Sequence, residues 1–182
     1  MPFEVIESQV VFRGRVFKVR KDKIRVTESR VSHLDVVEHR NSVTIVPLDS
    51  DGNLWFVRQY RHPVEGNLLE LPAGVIEPEE SAEECAYREI REETGMAAGN
   101  LREIGSFFMA PGYSTEYMYV FLATELDPDP LDADEDEFIS IDKIPVEMAL
   151  RMAKSGQIQD VKSIGSIFLA QPFLLQTTEP NS

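Results

Sequence analysis

The sequence predicts an α/β protein of the α+β kind, in which helices cover both faces of a mixed sheet. The chain has 182 residues, of which 42% are hydrophobic and 27% charged, a composition that suits one compact domain with a small appendage. Strand-like alternation and helical periodicity both occur along it. Because the two patterns do not follow a regular βαβ order, a doubly wound parallel sheet is disfavoured.

The first forty residues read as strands. Residues 9–19 and 34–38 alternate apolar with polar side chains, and Gly14 suits a turn or bulge between strands. We therefore expect a β-rich N-terminal portion at residues 1–40 and a main domain at residues 41–182.

The main domain opens with two predicted strands. Residues 43–47 and 54–60 are rich in β-branched and aromatic side chains, and the turn sequence SDGN separates them. This arrangement indicates a hairpin.

A helix is predicted between residues 79 and 94. Its apolar stripe recurs at intervals of four residues, through Ala82, Ala86 and Ile90. Ser81 with Glu84 forms a candidate capping box, and Gly95 supplies a stop signal.

Strands and then helices complete the domain. Alternating patterns predict strands at residues 102–108, 116–126 and 138–141, and helical patterns predict helices at residues 146–153 and 160–169. Between them, residues 127–137 form an acidic, proline-containing stretch typical of a solvated loop.

Composition also excludes several functional classes. The formal net charge of −14 repels polyanions, so we expect no binding to nucleic acid. No apolar run approaches the roughly 20 residues of a membrane helix. The N-terminal residues lack the pattern of a secretory signal, and the single cysteine, Cys85, cannot form an intrachain disulfide. A soluble protein in a reducing cytoplasm is expected.

The most informative segment is residues 74–96, GVIEPEESAEECAYREIREETGM. Glu89, Glu92 and Glu93 stand at helical spacings of three and four residues, so their carboxylates share one face and repel each other. Glu92 and Glu93 also lie in the last turn, where the helix dipole disfavours anions. A bound cation reverses both effects, and carboxylates without Cys or His favour Mg²⁺ or Mn²⁺ over zinc. The simpler alternative is a solvated acidic helix face.

This segment resembles the Nudix box at every fixed position: Gly74, Glu80, Arg88, Glu89, Ile90, Glu92, Glu93, Gly95 and the apolar Met96. The resemblance implies the Nudix α/β/α sandwich, a homodimer and a metal-dependent hydrolase. It implies that Glu89 and Glu93 are the main metal ligands, that Glu92 is a ligand or bridge, and that the carbonyl of Ala73 joins them. Arg88 would hold the carboxylates in place, and Glu80 would be structural.

Two further segments resemble the ADP-ribose pyrophosphatase branch of this family. Pro111, followed by Gly112, lies 16 residues after Gly95, and residues 57–74 look like that branch throughout. The resemblance implies hydrolysis of ADP-ribose to AMP and ribose 5-phosphate. It assigns Arg61, assisted by Arg58, to the diphosphate or terminal ribose, for which a guanidinium is suited. The alternatives are an ordinary Pro-Gly turn and exposed strand arginines.

The same resemblance suggests where the adenine and the catalytic base lie. Phe17 and Val16 match the adenine side, which in this branch often comes from a partner subunit, although Phe17 is also a plausible core residue. The acidic run at residues 134–137 resembles the loop that supplies a base, with Glu137 the best match and Glu135 the alternative. A solvated acidic loop is the competing interpretation.

Two other functions remain open on the sequence alone. A Nudix enzyme acting on other nucleoside diphosphate sugars, on dinucleotides or on oxidised nucleotides would share the same box. A catalytically silent Nudix module that senses ligands or binds proteins would be expected to lose box glutamates, and all of them are present.

Overall fold

The computed structural model describes residues 3–131 and 139–175, which form two compact units. The strands are β1 Glu4–Arg13, β2 Phe17–Thr27, β3 Arg30–His39, β4 Ser42–Pro47, β5 Asn53–Arg61, β6 Gly66–Glu70, β7 Ala73–Val75, β8 Met96–Phe108, β9 Tyr117–Pro128 and β10 Ile139–Pro145. The α-helices of this part are α1 Ala82–Thr94, α2 Val146–Ser155 and α3 Val161–Leu174, and a short 3-10 helix covers His62–Val64. The mixed α+β fold predicted from the sequence is confirmed.

The first unit contains Met1–Asn41 together with Phe107–Met118. Its sheet has the order β1-β2-β3 with antiparallel pairing throughout, so the N-terminal portion is β-rich. The backbone of Val37 bonds to Tyr113 and Thr115, which adds the second segment to this unit. Every described position of β1 is exposed, including its apolar side chains.

The second unit is built around β4, the most deeply buried strand. Its sheet has the order β7-β4-β9-β8, and all six residues of β4 are buried. Val43 and Ile45 pack with Ala86 and Ile90 of α1 in one apolar cluster. α3 also packs on β4, so two helices contact this central strand.

The predicted hairpin of β4 and β5 is wrong. After one bridge between Leu48 and Leu54 the two strands separate, and β5 joins another sheet in the order β10-β5-β6. Asp49 shapes the turn, because its carboxylate accepts hydrogen bonds from the backbone of Asn53 and from Trp55 Nε1. The turn signal was therefore correct, but the pairing partners were not.

The ends of α1 agree with the sequence analysis. Ser81 is the N-cap of a complete capping box with Glu84, and Gly95 ends the helix with φ 72°. The last helix is longer than expected, since α3 passes Pro172 and ends at Leu174. Across the described residues, no helix combines the length and hydropathy needed to cross a membrane.

Two buried hydroxyls lead to a prediction about stability. Among the described residues, the hydroxyls of Thr44 on β4 and Ser166 on α3 are buried without a hydrogen-bond partner. Thr44→Val keeps the shape of the side chain and removes the unpaired group. We expect it to raise the free energy of unfolding by about 1 kcal/mol in urea denaturation.

Thr94→Val is the matched control. Thr94 is also buried, but its hydroxyl donates to the carbonyl of Ile90 and accepts from the backbone of Met96. This variant should be less stable than the wild type. Destabilisation by Thr44→Val of equal size would show that the Thr44 hydroxyl has a partner.

Candidate functional site

Helix α1 carries three glutamates on one side. Glu89 is 9% exposed and Glu93 is 6% exposed, whereas Glu92 is half-buried. Buried carboxylates are costly unless hydrogen bonds or cations compensate their charge. The alternative of a solvated acidic helix face therefore does not fit Glu89 and Glu93.

Strand β7 approaches this acidic face closely. A Cβ atom built on Gly74 would lie 1.7 Å from Oε1 of Glu89, so only glycine leaves room for that carboxylate. One residue earlier, the N–H of Ala73 donates to Oε2 of Glu93 at 3.1 Å. The backbone of Ala73 and Gly74 thus contacts the carboxylates of both Glu89 and Glu93.

Arg88 compensates the charge of three glutamates. Its Nη1 donates to Glu89 at 2.6 Å and to Glu92 at 2.9 Å. Its Nε and Nη2 donate to the two oxygens of Glu80 at 2.9 and 3.1 Å. The hydrogen bonds with Glu80 raise the pKa of Arg88 and lower the pKa of Glu80. Arg88 therefore joins Glu80 to two glutamates of α1, and the roles predicted for Arg88 and Glu80 stay predictions.

The donor set fits a hard divalent cation. Glu89, Glu92 and Glu93 offer only carboxylate oxygens, and the missing Cβ at Gly74 gives one of them its place beside the strand. Within residues 3–131 and 139–175, however, no three Asp, Glu, His or Cys side chains converge into a ready-made metal cluster. Here the guanidinium of Arg88 bonds to both Glu89 and Glu92. Their role as metal ligands, with the Ala73 carbonyl, stays a prediction.

Arg61 is held by a buried glutamate. Its Nε and Nη2 donate to the two oxygens of Glu70 at 2.9 and 2.8 Å. Lys162 on α3 also donates to Glu70. Burial acts to raise the pKa of Glu70, but the Arg61 hydrogen bond and the Lys162 charge outweigh it and lower that pKa to about 2. The hydrogen bond with Glu70 raises the pKa of Arg61, and the charge of Glu93, which is also in electrostatic range, adds to this shift.

Sequence reasoning missed Glu70 and Lys162. A signal was present for each, since Glu70 stands among leucines in the sequence LLEL and Lys162 follows Asp160 at a predicted helix start. Their pairing connects positions 92 residues apart, which no local pattern reveals.

Arg58 has a different environment from Arg61. It is exposed on β5 and its Nη2 lies 2.5 Å from Asp142 on β10. Such an exposed ion pair contributes little to stability.

The other predicted site residues divide into two groups. Phe17, Val16, Pro111 and Gly112 all belong to the first unit and are exposed, so Phe17 is not a core residue. Phe17 lies near Phe12, with ring centroids 6.1 Å apart. Glu135 and Glu137 lie outside the described residues.

Comparison with known proteins gives a consistent result. Residues 38–163 match the NUDIX domain family. The ADP-ribose pyrophosphatase of Bacillus subtilis (strain 168) is 32% identical over 166 residues, covering 90% of each chain. The ADP-ribose pyrophosphatase of Mycobacterium tuberculosis is 34% identical and covers 91% of this chain and 81% of that protein. A crystal structure of an ADP compounds hydrolase superposes with a TM-score of 0.88 at 26% identity, covering 98% of this chain and 97% of that one.

The contact at Gly74 yields a prediction about cation binding. In Gly74→Ala the new methyl group displaces the Glu89 carboxylate from the strand. We expect affinity for Mn²⁺, measured by calorimetry or electron paramagnetic resonance, to fall about tenfold or more. Gly66→Ala is the control, since its Cβ would meet only an ordinary contact at 3.6 Å. Unchanged Mn²⁺ affinity in folded Gly74→Ala would remove Glu89 from the ligand set.

Proposed function

The chain belongs to the Nudix family of pyrophosphohydrolases, and from this we propose that it hydrolyses the pyrophosphate bond of ADP-ribose, giving AMP and ribose 5-phosphate. One observation carries the proposal: the acidic face of α1 meets the backbone at Ala73-Gly74, with Arg61 in electrostatic range of Glu93. Carboxylates and a guanidinium together suit a substrate diphosphate bound with a cation.

Nudix hydrolases generally use divalent metal ions, and we propose Mg²⁺, with Mn²⁺ able to replace it. Glu89, Glu92 and Glu93 would hold the ion together with the carbonyl of Ala73. When bound, a divalent ion supplies charge neutralisation for the pyrophosphate and lowers the pKa of water. Arg88 orients two of these carboxylates through the contacts described above.

The remaining chemistry is assigned to protein groups. Arg61, assisted by Arg58, binds the diphosphate or the terminal ribose. Glu137, or in its place Glu135, takes the proton from the attacking water. The segment that carries these two acids follows Leu131, whose N–H bonds to the carbonyl of Arg91 on α1, and precedes Ile139, which pairs with Gln59 on β5.

We propose that the first unit supplies the adenine side and a homodimer interface. Phe17, Val16, Pro111 and Gly112 would contact the substrate there. Support comes from β1, whose apolar side chains, such as Phe12 and Val5, are about half exposed in the single chain. Exposed apolar surface of this extent is typical of an association site.

A second candidate is hydrolysis of other nucleoside diphosphate sugars or dinucleotides. It is favoured by the likeness to an ADP compounds hydrolase, a name that covers more substrates than ADP-ribose. A silent ligand-sensing or protein-binding module is less well supported, because the box glutamates are all present. The cytoplasmic location and the absence of membrane and nucleic-acid partners stay predictions from the sequence.

The first test compares substrates. Purified protein with Mg²⁺ or with chelator is given ADP-ribose, ADP-glucose, NADH, diadenosine polyphosphates and 8-oxo-dGTP. We expect kcat/KM to be highest for ADP-ribose. Activity should vanish with chelator, because without a divalent cation the carboxylates and the pyrophosphate repel each other. Preference for another substrate would support the second candidate, and no turnover would support the silent module.

Glu93→Gln and Glu83→Gln provide a matched pair for this assay. Both change a glutamate of α1, but Glu83 is exposed in the first turn while Glu93 is buried against Ala73. We expect about a hundredfold or greater loss of kcat for Glu93→Gln and no loss for Glu83→Gln. Normal turnover and metal dependence in Glu93→Gln would refute the site.

The base is tested by replacing each candidate alone. If Glu137 accepts the proton, Glu137→Gln lowers kcat by about 10² to 10⁴ and leaves KM nearly unchanged, while Glu135→Gln has little effect. The reverse result assigns the base to Glu135. Full kcat in both variants would place the base elsewhere. Hydrolysis in ¹⁸O-labelled water then identifies the phosphorus that is attacked.

A further inference from the structure

Glu70, which bonds to Arg61, and Lys162, which bonds to Glu70, are both buried more deeply than Arg61 itself. The side chains of Glu70 and Lys162 are 2% and 10% exposed, whereas the side chain of Arg61 is 41% exposed. Burying a carboxylate and an ammonium together is costly, and such pairs often contribute no more stability than apolar residues of similar size. Stability is therefore a weak explanation for this pair.

The first turn of α3 fixes Lys162 in place. Asp160, the N-cap, accepts hydrogen bonds from Lys162 Nζ at 2.8 Å and from the backbone of Ser163 at 3.0 Å. The Ser163 hydroxyl donates to Asp160 at 2.5 Å and accepts from the N–H of Leu71 at 2.7 Å. Hydrogen bonds therefore connect the first turn of α3 to Glu70 and Leu71, and only Pro72 separates these two residues from the Ala73-Gly74 contact.

Glu70 occupies one particular edge of the Arg61 guanidinium. The carboxylate takes Nε and Nη2, which form the side-on edge. A guanidinium has five N–H groups, so a second pair on Nη1 and Nη2 forms an end-on edge with the same bidentate geometry. Among the described residues, no protein hydrogen bond to Nη1 is found. The contact with Glu70 thus leaves one bidentate edge for a ligand and fixes its direction.

We propose that Glu70, held by Lys162, is a positioning residue that takes the side-on edge of Arg61 and so presents the end-on edge to the diphosphate of the substrate. This inference rests on the proposed function for the identity of the anion. Lys162 acts through Glu70, because its ammonium limits the orientations that the carboxylate can adopt. Arg61, Lys162, Glu70 and Asp160 together carry two positive and two negative charges, so the network needs no other counterion.

The positioning role is tested by a double-mutant cycle on kcat/KM for ADP-ribose. We expect Glu70→Gln to raise KM about tenfold with little change in kcat, since Arg61 remains but is no longer oriented. In an Arg61→Ala background, Glu70→Gln should change KM less than about twofold, because the residue it orients is absent. Lys162→Met should follow the same pattern with a smaller effect. If the KM of the double variant instead equals the product of the two separate increases, Glu70 acts independently of Arg61 and the proposal is overturned.

A spectroscopic readout keeps the test independent of turnover. The Nε–Hε nuclear magnetic resonance signal of Arg61, assigned with Arg61→Lys, should be protected from exchange with water in the wild type. We expect that protection to be lost in Glu70→Gln and reduced in Lys162→Met. An unchanged signal in folded Glu70→Gln would also overturn the proposal. If the wild type hydrolyses none of the substrates yet the signal responds as expected, the proposed function fails while the positioning of Arg61 stands.

Two variants control for folding. Glu70→Gln combined with Lys162→Met removes both buried charges, so neither is left without a partner, and its thermal unfolding should stay cooperative. Arg151→Met removes a cation from an exposed pair with Glu147 on α2, where the charged atoms are 3.8 Å apart. It should leave KM, kcat and the Arg61 signal unchanged. A KM increase in Arg151→Met equal to that in Lys162→Met would mean that net charge, rather than the network, controls binding.

Discussion

The contact between the backbone at Gly74 and the carboxylate of Glu89 is the constraint on which the rest of the second unit depends. A methyl group there would overlap the carboxylate, so the distance between β7 and α1 is set by the absence of a side chain. The same backbone segment donates to Glu93, which fixes the rotation of α1 about its own axis. β7 in turn pairs with β4, all six residues of which are buried, so the charged contact is attached to a strand held on all sides by packing.

Two cations near this contact, Arg88 and Lys162, each bond to more than one carboxylate. The chain has 18 Lys and Arg against 32 Asp and Glu, so cations are scarce. Arg88 bonds to Glu80, Glu89 and Glu92, and Lys162 bonds to Glu70 and Asp160. Sharing of this kind couples the positions of the acids, because moving one carboxylate changes the partner of another. Arg88 therefore links α1 to the loop that carries Glu80, and Lys162 links α3 to the end of β6 at Glu70.

Local signals in the sequence predicted local structure well. Ser81, Glu84 and Gly95 predicted the ends of α1, because capping depends on residues within one turn. The pairing of β5 was not predicted, since Asp49 makes a tight turn whether or not the flanking strands remain together. The network of Glu70 and Lys162 also escaped prediction, because it joins a strand to a distant helix. The Nudix box, by contrast, concentrates its acids in one helix and could be recognised directly.

The single thiol of the chain, that of Cys85, is unreactive because α1 buries it in the core. Cys85 is fully buried in the cluster of Val43 and Ile45, and burial followed by the charge of Glu89 raises the pKa of its thiol. Thiolate is the form that reacts with oxidants and disulfides, so it is scarce at neutral pH and shielded as well. Oxidation of Cys85 would need α1 to separate from β4. The helix that carries the acidic face therefore also protects the protein from covalent cross-linking between chains.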